Sequence, residues 1–293
     1  MMININDCAY PHIEKIRNPS KTDFLEKYGL PGKPALVLGA MDDWRARSRW
    51  TPEFFTNQHG STLVKVKRAV EKENGEPDDL MISMSEYIEY MQHTEDEDPY
   101  YLGGLPIEEN FSELSEDYVL PEYFESWHVR LPDHIRPKWN FFYIGPANSN
   151  TGLHIEAMMS SSWNAVISGR KIWLFYPPEQ GEFLYSGDVD AFNPELSRYP
   201  LFAHTCPLMC VQNPGEIVFT PSGWWHQVVN EQRCISIAGY FVNESNADQV
   251  NKFLVDSPAS DTFKQLIWQY IPELNNNGEN AVEYDPSQIQ TND

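Results

Sequence analysis

His154 and Glu156 stand two residues apart in "TGLHIEAMMSSSWNAVISGRKIWLFYPP" (151–178), and on an extended strand that spacing turns both side chains to one face. They offer one nitrogen and one oxygen ligand. A second imidazole is available in "PGEIVFTPSGWWHQVVN" (214–230), where the Pro221-Ser222-Gly223 turn closes one apolar strand and delivers His226 to the start of the next. Two histidines and a carboxylate on one face leave positions open on a metal, an arrangement suited to non-haem Fe(II) that activates oxygen. The same donors also suit catalytic zinc or manganese. By itself H-x-E with a distant histidine is a weak signal. Lys171, which opens the apolar run "KIWLFY", is the residue that separates these chemistries. If it shares a face with Trp173 and Phe175, its ammonium is desolvated and needs an anion, which a carboxylate co-substrate would supply. If Ile172, Leu174 and Tyr176 fill the core instead, Lys171 faces water, and alternation alone leaves both possibilities open.

The elements that must position these groups change character along the chain. From Lys138 onward, short strands ("WNFFYIG", "TGLHIEA", "SSSWNAVI", "RKIWLFYPP", "EIVFTP", "WHQVVN", "RCISIAGYFV") alternate with Pro, Gly and Asn turn signals, a spacing that indicates an all-β sandwich or barrel. Residues 178–213 read as an insertion crossing one end of it. Before it, "PALVLG" (34–39) and "TLVKVKR" read as strands and "TPEFFTNQHG" (51–60) as a capped helix. In "SMSEYIEYMQH" (83–93), Ser85 is the expected cap of an amphipathic helix whose Tyr87, Ile88 and Met91 face the core. Val250, Phe253 and Leu254 mark helical packing over 247–270, with a break at Pro258. The expected division is an N-terminal α+β region (1–137), a β core (138–245), C-terminal helices (246–274) and an Asn-rich, acidic tail (275–293) expected to be disordered. Trp224 and Trp225 are expected to pack the barrel end, and the remaining histidines show no paired spacing.

Composition bounds the function. The 293 residues, 41% hydrophobic and 13% aromatic, suffice for a sizeable core. No window reaches the roughly 18 apolar residues of a membrane span and no export signal opens the chain, so a cytoplasmic protein is expected, with the nucleus not excluded. Four cysteines point to reduced thiols; the Cys206/Cys210 spacing lacks a second pair for structural zinc. A formal charge of -22, from 21 basic and 43 acidic residues, disfavours DNA and RNA backbones and suits a basic protein or peptide.

Residues from about 34 to 243 resemble a jumonji-C (JmjC) hydroxylase. The resemblance is carried by "YIEYM" with "DPYYL" downstream, by "GPANSNTGLHIEAMMSSSWNAVISGRKIW" and by "PGEIVFTPSGWWHQVVN". Within that superfamily the likeness is to the group of arginine demethylases and lysyl-hydroxylases. It implies a mainly β protein, a double-stranded β-helix (jelly roll, cupin type) with N-terminal α+β elements and C-terminal helices. It also implies Fe(II), 2-oxoglutarate and O2, with release of succinate and CO2. His154, Glu156 and His226 match the iron ligands, and Lys171 the partner of the distal carboxylate of 2-oxoglutarate. Thr151, Asn164 and Tyr101 match positions that hydrogen-bond the same molecule. Glu156 stands where the group has Asp, Ala238 where it has a threonine bonding the co-substrate, and Tyr240 where it has an asparagine. The resemblance favours hydroxylation of a lysyl or arginyl side chain, with N-methyl demethylation, small-molecule or RNA hydroxylation and a non-catalytic binding module as alternatives, and it suggests a homodimer through the C-terminal helices.

Overall fold

The structure, a computed structural model, describes residues 10–69 and 78–275. Its strands are β1 (Glu14–Arg17), β2 (Ala35–Leu38), β3 (Leu63–Lys67), β4 (Asp79–Ser83), β5 (Leu102–Pro106), β6 (Asn140–Gly145), β7 (Asn150–His154), β8 (Ser161–Ser168), β9 (Lys171–Tyr176), β10 (Leu208–Gln212), β11 (Glu216–Thr220), β12 (Trp225–Asn230) and β13 (Cys234–Phe241). A seven-stranded sheet runs β1-β2-β11-β8-β13-β6-β5, and a four-stranded sheet runs β10-β9-β12-β7. β3 and β4 form a separate hairpin. The interleaving of β7 to β13 between two mostly antiparallel sheets is the double-stranded β-helix. The region before residue 138 contributes β1, β2 and β5 to the larger sheet rather than only covering it. The tail expected to be disordered lies, beyond residue 275, outside the described residues.

Both sheets are covered on both faces, and this decides which way each strand turns. Between the sheets lies an inner cluster that includes Leu36, Trp173, Phe175, Val218 and Val228. On the outer face of the larger sheet, Trp163, Ala165, Ile217, Phe219 and Ile237 pack against Phe24, Trp50 and Phe55 of the N-terminal helices. On the outer face of the smaller sheet, Ile172, Leu174 and Tyr176 are capped by Leu184, Val189 and Phe202. Burial of one large apolar side chain contributes about 1.5–3 kcal/mol, so Trp173 and Phe175 together fix the inward face of β9. Lys171, two residues earlier, is carried inward with them.

Three local expectations are corrected. The helix Met84–His93 is capped by Ser83, not Ser85: Ser83 Oγ accepts from the Glu86 backbone N–H, and the Glu86 carboxylate accepts from the Ser83 N–H at 2.9 Å, a closed capping box. The segment 178–213 is not only a crossing loop, because its last residues form β10, paired with β9 from Leu208↔Phe175 to Gln212↔Lys171. C-terminal helices span Ala247–Asp256 and Asp261–Tyr270, with Val250 and Leu254 buried but Phe253 39% exposed, so the buried stripe is narrower than expected. Trp224 donates to the Gly32 carbonyl at 2.8 Å, and Trp225 packs against the outer cluster of the smaller sheet, both as barrel-end packing. Cys206, Cys210 and Cys234 are free thiols. No helix among the described residues is long and apolar enough to cross a membrane.

Candidate metal centre

His154 ends β7 and His226 is the second residue of β12, and the two are direct partners across that antiparallel pair. Strand register therefore sets their approach, with ring centroids 4.2 Å apart. Glu156 lies just past the end of β7, but its backbone is still extended (φ -67, ψ 143), so the two-residue period holds and the carboxylate returns to the same face. Its Oε1 is 3.5 Å from His226 Nε2 and its Oε2 3.9 Å from His154 Nε2. One ligand atom from each residue falls within 4.8 Å of the others, a set that could hold a metal ion. Immediately afterwards the chain reverses through Met158 and Met159, both with left-handed φ (57 and 56). Such a conformation costs roughly 1–2 kcal/mol per residue, and the Ser222 hydroxyl, which donates to the Met159 carbonyl at 2.6 Å, helps hold it.

The imidazoles are set in one tautomer. His154 Nδ1 lies 2.7 Å from the Gly152 carbonyl and His226 Nδ1 lies 3.2 Å from that of Trp224. A carbonyl only accepts, so each Nδ1 carries the proton and each Nε2 lone pair faces Glu156, the form a metal ligand needs. Burial pushes His226 well below the usual histidine value and Glu156 above the usual carboxylate value, the latter opposed by His154 and by the hydroxyls of Ser162 and Tyr240. His154 is the more open member, with 35% of its side chain exposed against 6% for Glu156, so the triad has one approach from the barrel mouth.

Deeper between the sheets, Lys171 is 1% exposed. Its ammonium donates to Asn230 Oδ1 at 2.7 Å and reaches the Tyr101 hydroxyl at 3.4 Å, and the rings of Tyr101 and Tyr143 flank it at 5.8 and 6.0 Å. Burial pushes its pKa down, and among the described residues no carboxylate lies within ion-pair distance of it. Thr151 belongs to the same interior through a β-bulge: β12 advances two residues from His226 to Val228 while β7 spans three, from His154 to Thr151. Without the bulge, an odd spacing would turn Thr151 away from His154. Asn164 on β8 is 8% exposed and its Oδ1 is buried without a protein partner. Ala238 is its direct neighbour on β13 and offers no hydroxyl to it.

The structure thus brings Lys171 and Tyr101 together in one buried pocket and turns Thr151 to the same interior as His154 and His226. An ammonium without a carboxylate partner among the described residues and an unsatisfied amide oxygen, in the same interior as a two-histidine, one-carboxylate set, fit a metal-chelating oxo acid with a distal carboxylate better than they fit a zinc hydrolase, which has no use for a buried cation there. Sequence reasoning missed Asn230 and the approach of Tyr240 to Glu156. Asn230 was accessible to it, because His226, Val228 and Asn230 alternate on β12 and share a face.

A double-stranded β-helix that gathers two imidazoles and a carboxylate at its mouth defines a cupin. The chain belongs to the cupin-like domain family, in its JmjC branch: residues 21–247 match that family. It is similar to the lysine-specific demethylase JMJ21 of Arabidopsis thaliana (31% identical over 249 residues, 80% of this chain and 26% of that protein). It is also similar to the bifunctional arginine demethylase and lysyl-hydroxylase psr-1 of Caenorhabditis elegans (30% over 248 residues, 78% of this chain and 60% of that protein). The 2-oxoglutarate and iron-dependent oxygenase JMJD4 of Danio rerio is 32% identical over 284 residues, 88% of this chain and 67% of that protein. The chain thus spans between 26% and 67% of the length of these relatives.

Proposed function

We propose that the chain is an Fe(II)- and 2-oxoglutarate-dependent dioxygenase that hydroxylates a protein side chain, lysyl or arginyl. The observation that carries this reading is the pairing of the His154–Glu156–His226 set with a fully buried Lys171 that has no carboxylate partner among the described residues. Iron bound there would supply oxygen activation coupled to oxidative decarboxylation of the oxo acid, giving succinate, CO2 and a hydroxylated carbon. The protein's own residues do the positioning. His154, Glu156 and His226 would hold the metal. Lys171 and Tyr101 take the distal carboxylate, and Thr151 and Asn164 hydrogen-bond the same molecule. With Ala238 beside it, Asn164 makes its polar contact without help from β13. The aromatic walls formed by Trp173, Phe175 and Tyr143 keep water from the reacting atoms.

Names of relatives support a protein substrate, and the charge of -22 favours a basic one over nucleic acid. A homodimer through the C-terminal helices would cover Phe253, Val255, Phe263 and Tyr270, all exposed; size-exclusion chromatography with light scattering tests it. The functional reading is tested by incubating cell-lysate proteins with the enzyme, Fe(II), 2-oxoglutarate and 18O-labelled oxygen. A labelled oxygen retained on one lysyl or arginyl peptide supports hydroxylation, whereas release of formaldehyde with loss of a methyl group transfers the reading to demethylation.

A further inference from the structure

Asn230 sits opposite Lys171 on the neighbouring strand, and its amide has only one possible orientation. The orientation is set two groups away. The Pro146 carbonyl can only accept, so the Ser149 hydroxyl donates to it at 2.7 Å. The Ser149 oxygen then accepts from Asn230 Nδ2 at 2.8 Å, and Asn230 Oδ1 is left to face the Lys171 ammonium at 2.7 Å. Ser149, Asn230 and Lys171 are each at most 2% exposed, so water does not compete for any link. The chain of donors fixes where the ammonium stands without neutralising it. A carboxylate at residue 230 would still accept from the Lys171 ammonium, but its other oxygen would meet the Ser149 oxygen, whose proton is given to Pro146, and its charge would offset that of Lys171.

We propose that Asn230 is a positioning and selectivity residue. Held by Ser149 and Pro146, it places the Lys171 ammonium while remaining neutral, so the charge of Lys171 is left for the ligand and the site selects oxo acids that carry a second, distal carboxylate. This rests on the dioxygenase reading above. The uncharged relay explains why asparagine, and not the stronger acceptor aspartate, stands beside a buried lysine: the counter-ion is reserved for the ligand.

The test measures binding of two acids to the full chain loaded with Fe(II) under anaerobic conditions: 2-oxoglutarate, and 2-oxopentanoate, which has the same chain length but no distal carboxylate. Wild-type protein is expected to prefer 2-oxoglutarate. Asn230→Asp should lower that preference at least tenfold while leaving 2-oxopentanoate and Fe(II) affinity within severalfold of wild type. Asn230→Ala, which removes the acceptor but keeps the charge, should retain more of the preference than Asn230→Asp. Ser149→Ala, which leaves the amide nitrogen only its longer contact of 3.5 Å to the Pro146 carbonyl and so loosens the amide while keeping its polar group, should lower the preference severalfold and provides the readout if the aspartate variant does not fold. A merely structural asparagine would weaken both acids together, and that result, or a preference unchanged in Asn230→Asp or in Ser149→Ala, overturns the inference alone. Wild-type protein indifferent to the distal carboxylate overturns the dioxygenase reading and the inference with it.

Discussion

His154 and His226 are register partners on adjacent antiparallel strands, and their rings are 4.2 Å apart before any metal is considered. The ligand set is therefore preorganised by backbone pairing. Glu156, beyond the end of β7, joins them because its backbone stays extended and keeps the two-residue period.

Removing either imidazole should leave the strands paired and the metal unbound. His154→Ala and His226→Ala are expected to lose measurable Fe(II) or Co(II) retention in anaerobic dialysis followed by metal analysis, with an unchanged far-ultraviolet circular dichroism spectrum. Retention of stoichiometric metal by either variant would remove that histidine from the ligand set.

Tyr240 turns its hydroxyl toward the Glu156 carboxylate, and burial together with that carboxylate pushes the phenol further above its usual range. Its hydroxyl thereby restrains the one ligand that lies outside a strand. Tyr240→Phe should weaken Co(II) affinity about 10-fold, within the range of roughly 10–100-fold seen when a ligand's hydrogen-bond partner is lost. The thermal midpoint of the metal-free protein should change little. Isothermal titration with Co(II) checks the first expectation and a melting curve the second.

Lys171→Met replaces a buried ammonium with a side chain of similar length. Loss of a desolvated carboxylate–ammonium pair costs about 3–5 kcal/mol, so 2-oxoglutarate affinity should fall at least about 100-fold while Fe(II) binding persists. Titration of the Fe(II) protein with 2-oxoglutarate under argon is the measurement. Equal affinity in wild type and variant would reject the assigned role.

The His128 ring lies 4.5 Å from that of Trp139, and burial, with a smaller effect from Arg136, lowers its pKa from 6.5 to about 4. Because the folded value is depressed, the unfolded chain takes up a proton first as pH falls below 6.5, and stability drops until about pH 4. For this one group the loss between pH 6.5 and about 5 is about 1.5 kcal/mol. His128→Gln should flatten the urea-derived stability curve over that interval. An unchanged slope would show that other groups carry it.

The β core and its metal-binding residues were legible because they rest on local spacing: H-x-E on extended chain, a Pro-Ser-Gly turn ahead of His226, and strands separated by turn residues. The orientation of Lys171 was not legible from alternation, since every residue of Lys171–Tyr176 is buried and a strand covered on both faces has no polar side to betray its register. Thr151 was placed by resemblance alone, and strict alternation would have sent it to the wrong face; the bulge that corrects this depends on pairing with β12, which is far away in sequence. The cap at Ser83 was legible in "SMSE", whose first residue and Glu86 have the capping-box spacing, and was misassigned because Ser85 has the same chemistry. Asn230 was within reach of the alternation His226, Val228, Asn230 on β12, whereas the approach of Tyr240 to Glu156 needed three-dimensional neighbours to acquire meaning.

Succinate production decides whether the chain is an oxygenase. Wild-type protein given Fe(II), O2 and 2-oxoglutarate is expected to form succinate, with the yield lost under argon and in His226→Ala and raised by a basic peptide substrate. Metal-loaded wild-type protein that neither forms succinate nor binds 2-oxoglutarate would contradict the oxygenase assignment.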